Sequence, residues 1–256
     1  PPPLRDRPVN AAAVERKPTP PPHRRLVLAS KSPRRRQLLN ERGFDHHVVS
    51  SGFDDGPLAP GRVSPRQWVA ALAHLKAKAG LETLHTHHTH HEHDTAHAHL
   101  PPTRLLVLAA DTVVVKGDAL IGQPRDADDA ARIIATLQDG SHHVVTGVAL
   151  MTTDTVAWLV DQAHVTVGHI GRERIQRYID SGDWRGKAGA YNLAERIDDD
   201  WPITFQGDPT TIMGLPMRRL EPALRNMLAP PEPSSTPTST PTSTPAPSPA
   251  DAEANS

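Results

Sequence analysis

The chain has 256 residues and a formal net charge of −1, with 28 lysines and arginines against 29 aspartates and glutamates. A charge this close to neutral gives no field that favours nucleic acid or an anionic membrane as a partner. The chain has no cysteine, which excludes disulfides, thiolate catalysis and cysteine-ligated zinc. No apolar run approaches the ~20 residues that span a bilayer, so we expect a cytoplasmic protein.

Three segments differ in composition from the rest of the chain. We predict that residues 1–22 are a disordered Pro-rich leader and residues 229–256 a disordered Ser/Thr/Pro-rich tail, because neither holds enough apolar side chains to order itself. Residues 85–99 alternate histidine with Thr, Glu and Asp. We interpret them as a mobile insertion with adventitious metal affinity, since a functional metal site needs a few rigidly held ligands. One domain, residues 23–228, remains.

The predicted domain begins with a strand, a tight turn and a helix. Residues 25–29 are apolar and bounded by polar residues, which predicts a short buried strand. Ser32 is a good N-cap and Pro33 suits the first helical position, so we predict a helix over 33–42. A second strand is predicted at 46–50.

The next predicted elements are a long helix and a hairpin. Ser64 and Gln67 form a capping box that opens a helix ending near Leu84. Residues 105–110 are entirely apolar, which is typical of a strand covered on both faces, and we predict that it ends at Asp111. Residues 113–121 read as a hairpin with a glycine in its turn.

The second half of the domain alternates helices with longer strands. We predict helices over 126–137, 172–179 and 217–227, and strands over 143–151 and 155–167. Together with the first half, this order predicts an α/β fold with a partly mixed sheet.

The turn at residues 28–36 predicts an anion site. It combines Ser30, Ser32 and three consecutive arginines, Arg34 to Arg36, with the backbone N–H groups of a helix N-terminus. Cations there oppose the helix dipole, so an anion is needed to offset them. An ordinary capped helix with a basic first turn is the alternative.

Further candidates for chemistry follow along the chain. Asp111 comes where a buried strand is expected to emerge, and a carboxylate there can orient water or hold a divalent cation. Lys76 lies on the predicted long helix, and Lys187 lies among small residues that let a ligand approach closely. Cations and carboxylates of this kind suit metal-assisted attack on a polyphosphate.

Six ordered motifs resemble those of the Maf-like proteins, which are nucleoside triphosphate pyrophosphatases. They are Ser30-Lys31-Ser32-Pro33-Arg34-Arg35, Leu72-Ala73-x-x-Lys76-Ala77, Ala110-Asp111-Thr112-Val113-Val114, Gly122-x-Pro124, Lys187-Ala188-Gly189-Ala190-Tyr191 and Gly214-Leu215-Pro216. The resemblance runs from about Arg25 to Leu228 and implies a two-lobed Maf/ITPase-like fold around an elongated mixed sheet with flanking helices.

The resemblance also implies an active site in the cleft, a divalent metal cation (Mg²⁺ or Mn²⁺) and a homodimer. It implies that Asp111 is the catalytic carboxylate and that it binds the metal with Asp55. The substrate, a nucleoside triphosphate, would be bound by Ser30, Arg34, Arg35, Lys76, Thr112 and Lys187. Glu195 is a further candidate for substrate binding, since it could pair with a guanine edge or a positively charged methylated base.

Two departures from the family pattern leave the substrate open. Gln123 stands where the family has lysine, so a positive contact is missing or has moved, for example to Arg125. Ala194 stands at the family's glutamine position, beside Glu195. Arg34 and Thr112 match the branch acting on dTTP and UTP, which we favour.

Other readings stay open at this point. Asp208 and Pro209 resemble the branch acting on 7-methyl-GTP. A catalytically weakened nucleotide-binding regulator of cell division, and metal storage through the histidine tract, are further alternatives.

Overall fold

The computed structural model describes residues 23–56, 58–90 and 102–229. Among them a mixed sheet of seven strands runs through the molecule in the order β2-β1-β3-β5-β6-β7, with β4 paired to β3. The strands are β1 Arg25–Ala29, β2 His46–Val49, β3 Leu105–Lys116, β4 Ala119–Ile121, β5 Gly140–Met151, β6 Val156–Val167 and β7 Ile203–Gln206. The predicted α/β class with a mixed sheet is confirmed.

Parallel and antiparallel pairing divide this sheet into two regions. β1 pairs in parallel with β2 and with the first half of β3. β3, β5 and β6 are twelve-residue strands that pair antiparallel along most of their lengths. β3 therefore belongs to both regions, and its middle residues mark the boundary between them.

Helices cover both faces of the sheet. They are α1 Pro33–Glu41, α2 Pro65–His90, α3 Ala127–Leu137, α4 Arg172–Ser181, α5 Leu193–Asp198, α6 Pro209–Ile212 and α7 Met217–Leu228, with 3₁₀ turns at Pro102–Arg104 and Ala188–Ala190. The capping box at the start of α2 is confirmed, since the Ser64 N–H donates to Gln67 Oε1 at 2.9 Å and the Gln67 N–H donates to Ser64 Oγ at 3.3 Å. Within the described residues, no helix has the length and apolarity needed to cross a membrane.

Separate apolar cores form at the two ends of the sheet. At one end, leucines of β1 and β3 pack with α1 and α7 on one face, while alanines of α2 cover the other face. At the other end, Ile133 and Ile134 of α3 pack with Ile175 of α4 and with Trp184 and Trp201. Two cores joined by continuous strands make two lobes, as the family resemblance implies, with a cleft between them.

Two predicted boundaries are wrong. α2 continues to His90 rather than ending near Leu84, so the first histidines of the 85–99 tract are helical; residues 91–99 lie outside the described residues, as do 1–22 and 230–256. β3 does not end at Asp111 but continues to Lys116. The apolar residues on both sides of Asp111 pair with one uninterrupted partner strand, β5, so a single polar residue does not end the ladder.

Candidate active site

A cleft of about 710 Å³ separates the two lobes. One wall is the turn after β1 and the loop after β2, and the other is the segment before the second 3₁₀ turn. Its charged lining residues are Lys31, Arg34, Arg35, Asp54, Asp55, Lys76, Arg185, Lys187 and Glu195. Ser30 and Gln123 also line it.

A smaller recess of about 100 Å³ lies deeper, against the middle of β3. Val114, Val144 and Met213 contribute apolar side chains and Tyr191 an aromatic ring to a lining that is otherwise largely polar and charged. Asp111 and Thr112 line it too, while Arg34, Arg35 and Lys76 line both the recess and the cleft. Every catalytic, metal-binding and substrate-binding residue predicted from the sequence therefore lines one of the two cavities.

Lys76 joins the two carboxylates predicted to bind metal. Its Nζ lies 2.6 Å from Asp55 Oδ2 and 2.6 Å from Asp111 Oδ1. Lys76 reaches this point from α2, Asp111 from β3 and Asp55 from the loop after β2. The Asp111 side chain is only 12% exposed, whereas that of Asp55 is 42% exposed. Within the described residues no protein group donates to Asp111 Oδ2, so this oxygen is free for a ligand or for water.

Arg35 ties three parts of the site together. It donates from Nη1 to Ser30 Oγ at 3.2 Å, from Nη2 to Thr112 Oγ1 at 3.2 Å and from Nε to the Gly214 carbonyl at 3.1 Å. Loss of water around the guanidinium lowers the pKa of Arg35 to about 10, although the Asp111 carboxylate opposes this change. Arg35 remains charged at neutral pH, but three of its donors are already used in holding the fold.

Gly214 is required at its position by this contact. Its φ is +103°, and a Cβ there would lie 3.1 Å from Arg35 Nε. A side chain would therefore be strained and would also crowd the guanidinium. The glycine of the Gly214-Leu215-Pro216 motif thus serves to let Arg35 reach the loop before α7.

The Arg34 and Ser32 side chains are not held by the fold in the way that the Arg35 side chain is. Arg34 Nε is buried and has no hydrogen-bond partner among the described residues, and burial lowers the pKa of the guanidinium, opposed by the nearby Glu195 carboxylate. Ser32 occupies the N-cap position of α1, but its side chain makes no capping bond, contrary to the prediction, and lines the cavities instead. An unpaired donor and a hydroxyl in this place are what an anionic ligand would use.

Lys187 and Glu195 form an ion pair on the opposite wall. Asn192 donates from Nδ2 to Glu195 Oε1 at 2.6 Å, and the Asn192 side chain also caps α5. Partial burial would raise the pKa of Glu195, but the hydrogen bonds from Lys187 and Asn192 outweigh it and the pKa is lowered. Glu195 is therefore a carboxylate at neutral pH and acts as an acceptor.

Three residues raised in the sequence analysis lie outside both cavities. Arg125, considered as a replacement for the cation missing at Gln123, has an 81% exposed side chain and pairs with Asp129. Asp208 is buried and accepts hydrogen bonds from the Thr210 and Arg218 N–H groups. It therefore serves as a structural cap and does not indicate which nucleobase the site binds. The Ala194 N–H bonds to Asn192 Oδ1 within the α5 cap, and its side chain lines neither cavity.

Arg185 and Met213 also line the cavities, but they were not predicted as site residues from the sequence. Neither belongs to one of the six motifs, and an isolated arginine or methionine gives no signal of its own. Their proximity in sequence to the Lys187 and Gly214 motifs was the one available clue.

Comparison with known proteins points to the same family that the six sequence motifs resemble. A family model described as Maf-like protein matches residues 25–227. A protein of Pelotomaculum thermopropionicum named dTTP/UTP pyrophosphatase is 34% identical over 202 residues, covering 78% of this chain and 95% of the relative. Proteins of the same name from Chelativorans sp. and Cupriavidus metallidurans are each 35% identical; they cover 75% and 78% of this chain and 86% and 95% of their own lengths.

Proposed function

This chain belongs to the Maf-like protein family, and from that premise we propose that it hydrolyses dTTP and UTP to the nucleoside monophosphate and pyrophosphate. The relatives named dTTP/UTP pyrophosphatase support this assignment, since each covers at least three quarters of the chain. The observation that carries it is the position of Lys76, which brings Asp55 and Asp111 together where the cleft meets the recess.

The two cavities suit the two ends of a nucleotide. The recess offers a base an aromatic ring and apolar side chains beside polar groups that can hydrogen-bond to its edge, and the cleft has cations on both walls, which suit phosphates. The α-phosphate then lies at the junction, beside Lys76 and Asp111, and the β- and γ-phosphates extend into the cleft.

Asp55 and Asp111 are suited to hold a divalent cation. Magnesium prefers carboxylate and phosphate oxygens and is commonly bound by one or two carboxylates plus substrate phosphates. Both carboxylates contact the Lys76 ammonium, so they are close enough to share a divalent cation, which would take the place of that ammonium between them as Lys76 turns to the α-phosphate. The described residues contain no group of three or more potential metal-binding side chains, so phosphates and water would complete the coordination. When bound, the metal would supply charge neutralisation at the phosphates.

The residues themselves account for the steps of hydrolysis. Asp111 Oδ2, which no described group contacts, accepts a proton from the attacking water. The water oxygen bonds to the α-phosphorus as the bond from that phosphorus to the bridging oxygen breaks. Lys76 neutralises charge at the α-phosphate, and Arg34 and Lys187 neutralise charge on the departing pyrophosphate. Arg35 holds Ser30 and Thr112 in place for these contacts.

A panel of triphosphates tests the proposal. The purified full chain is incubated with dTTP, UTP, CTP, GTP or 7-methyl-GTP in the presence of Mg²⁺ or Mn²⁺, and pyrophosphate and monophosphate are quantified. We expect dTTP and UTP to give the highest kcat/KM. Preferred hydrolysis of 7-methyl-GTP would overturn the assignment of the base. Tight binding of every triphosphate without turnover would overturn the assignment as an enzyme and favour a nucleotide-binding regulator.

We also propose the cytoplasm as the location and a homodimer as the assembly. The absence of cysteine supports the first and the family resemblance supports the second. Light scattering of the purified chain tests the assembly, and a monomer at all concentrations would contradict it.

A further inference from the structure

The cations of the cleft fall into two groups. Lys76 and Lys187 are paired with carboxylates, and Arg35 is engaged by three oxygens of the fold. Within the part of the chain that the structure describes, the lining cations with neither an ion pair nor a comparable set of hydrogen bonds are Lys31, Arg34 and Arg185. Lys31 belongs to the turn after β1 and Arg34 to the first turn of α1, whereas Arg185 lines the cleft from the other lobe.

Arg185 is held in position although it is exposed. Its guanidinium stacks over the ring of Trp184, with the Cζ atom 4.7 Å from the ring centroid. Trp184 is itself buried in the second core and donates from Nε1 to the Ile179 carbonyl at 3.1 Å. A cation resting on a fixed aromatic ring loses less conformational freedom on binding a ligand than a free side chain does.

Gly182 provides the space that Arg185 occupies. This glycine ends α4 with φ +75°, and a Cβ at this position would lie only 1.9 Å from Arg185 Nη1. Nη1 donates to the Gly182 carbonyl at 3.3 Å. No other hydrogen bond or ion pair engages the guanidinium among the described residues, so Nε and Nη2 keep free donors.

We propose that Arg185 is a further substrate-binding residue that binds the β- and γ-phosphates, and so also the pyrophosphate product. Arg185 lines the cleft but not the recess, and the proposed function assigns these two phosphates to the cleft. Its planar fork can donate two parallel hydrogen bonds to phosphate oxygens. Arg185 thereby supplies from the second lobe the positive charge that the neutral Gln123 does not.

This inference rests on the proposed function and makes a selective prediction. Arg185→Gln weakens the binding of pyrophosphate about tenfold, because a charge-assisted contact is lost. It leaves the binding of dTMP or UMP unchanged, because the monophosphate reaches only the recess and the junction. Arg185→Lys retains the charge and keeps most of the affinity for pyrophosphate.

Isothermal titration calorimetry with pyrophosphate, dTMP and UMP, with Mg²⁺ present, measures these affinities without any turnover. The matched control is Arg172→Gln, which removes an exposed arginine at the start of α4 that lines neither cavity. We expect this control to bind all three ligands as the wild type does.

The outcomes separate this inference from the proposed function. Unchanged affinity of Arg185→Gln for pyrophosphate overturns the role of Arg185. Equal loss for pyrophosphate and monophosphate also overturns it, since that result indicates damage to the whole site. If the wild type hydrolyses no triphosphate but Arg185→Gln selectively loses pyrophosphate, the proposed function fails and the phosphate contact stands.

Discussion

At the scale of single residues, the ammonium of Lys76 holds two carboxylates 2.6 Å away, so each of the three groups fixes the others. Asp111 is the least exposed of the three at 12% and its second oxygen has no partner in the described chain. A carboxylate fixed by one oxygen and open at the other is well suited to orient water. Catalysis should therefore depend on Asp111 more steeply than stability does.

We predict that Asp111→Asn lowers kcat for dTTP or UTP by at least about 100-fold, because an amide cannot accept the proton from water. The midpoint of thermal unfolding should stay close to that of the wild type, since Lys76 keeps its contact with Asp55. Steady-state kinetics and differential scanning calorimetry measure the two effects. Asp128→Asn, an exposed aspartate in the first turn of α3, is the control. Wild-type kcat in Asp111→Asn would place the base elsewhere.

Some residues of the candidate site could be predicted from the sequence alone, and others could not. Asp111, Lys76 and Lys187 could be predicted as site residues because each lies in a motif of several residues, and the structure places all three in the cavity linings. Arg125 was considered as a phosphate contact on its charge alone, and the structure pairs it with Asp129 at the surface. Arg185 could not be recognised, because its position depends on the ring of Trp184 and the space left by Gly182. Charge is visible in a sequence, but the partner that neutralises it is not.

At the scale of elements, the Arg35 guanidinium connects α1 to β3 and to the loop that leads into α7. Its bond to Thr112 continues across the sheet, where Thr112 Oγ1 lies 2.9 Å from Thr146 Oγ1 and Thr146 donates to the Thr211 carbonyl. These bonds cross from β3 to β5 and on to α6. Arg35 is thus a structural member of the site as well as a cation.

We predict that Arg35→Met lowers the free energy of unfolding by roughly 1–3 kcal/mol, because three oxygen acceptors lose their donor. Arg36→Met removes the exposed neighbour on the same helix and should change stability by less than about 0.5 kcal/mol. Urea unfolding of both variants gives the comparison. If Arg35→Met unfolds as the wild type does and alters only KM, then Arg35 serves the ligand alone.

Elements with strong local signals were predicted well. The apolar run of β1 and the capping box of α2 each fix a boundary through local chemistry. α5, β7 and α6 were missed, because each has only four to six residues and depends on tertiary packing. The end of β3 was misjudged at Asp111 because strand length is set by the partner strand, which a local window does not contain.

At the scale of the whole molecule, buried polar groups make stability depend on pH. His142 of β5 is 2% exposed, and its Nε2 lies 2.8 Å from the Tyr191 hydroxyl, while Nδ1 has no partner in the described chain. Burial, reinforced by the positive charge of Lys116, lowers the pKa of His142 from 6.5 to about 4. The unfolded chain therefore takes up this proton first as the pH falls.

We predict that the folded state loses stability as the pH falls from about 6.5 to about 4, by at most about 1.4 kcal/mol per pH unit from this group. His142→Gln should flatten the dependence over this interval, because the variant has no proton to take up. Urea unfolding at several pH values measures it, with the exposed His85→Gln as control. Parallel curves for wild type and His142→Gln would show that His142 does not contribute.

The two lobes meet along a shared strand, and in the proposed mechanism water attacks the α-phosphorus beside Asp111 at this boundary. A single turnover of dTTP or UTP in water enriched in ¹⁸O, with mass spectrometry of both products, tests it most directly. We predict one ¹⁸O atom in the nucleoside monophosphate and none in pyrophosphate. Label in pyrophosphate, or release of orthophosphate in place of pyrophosphate, would contradict the account.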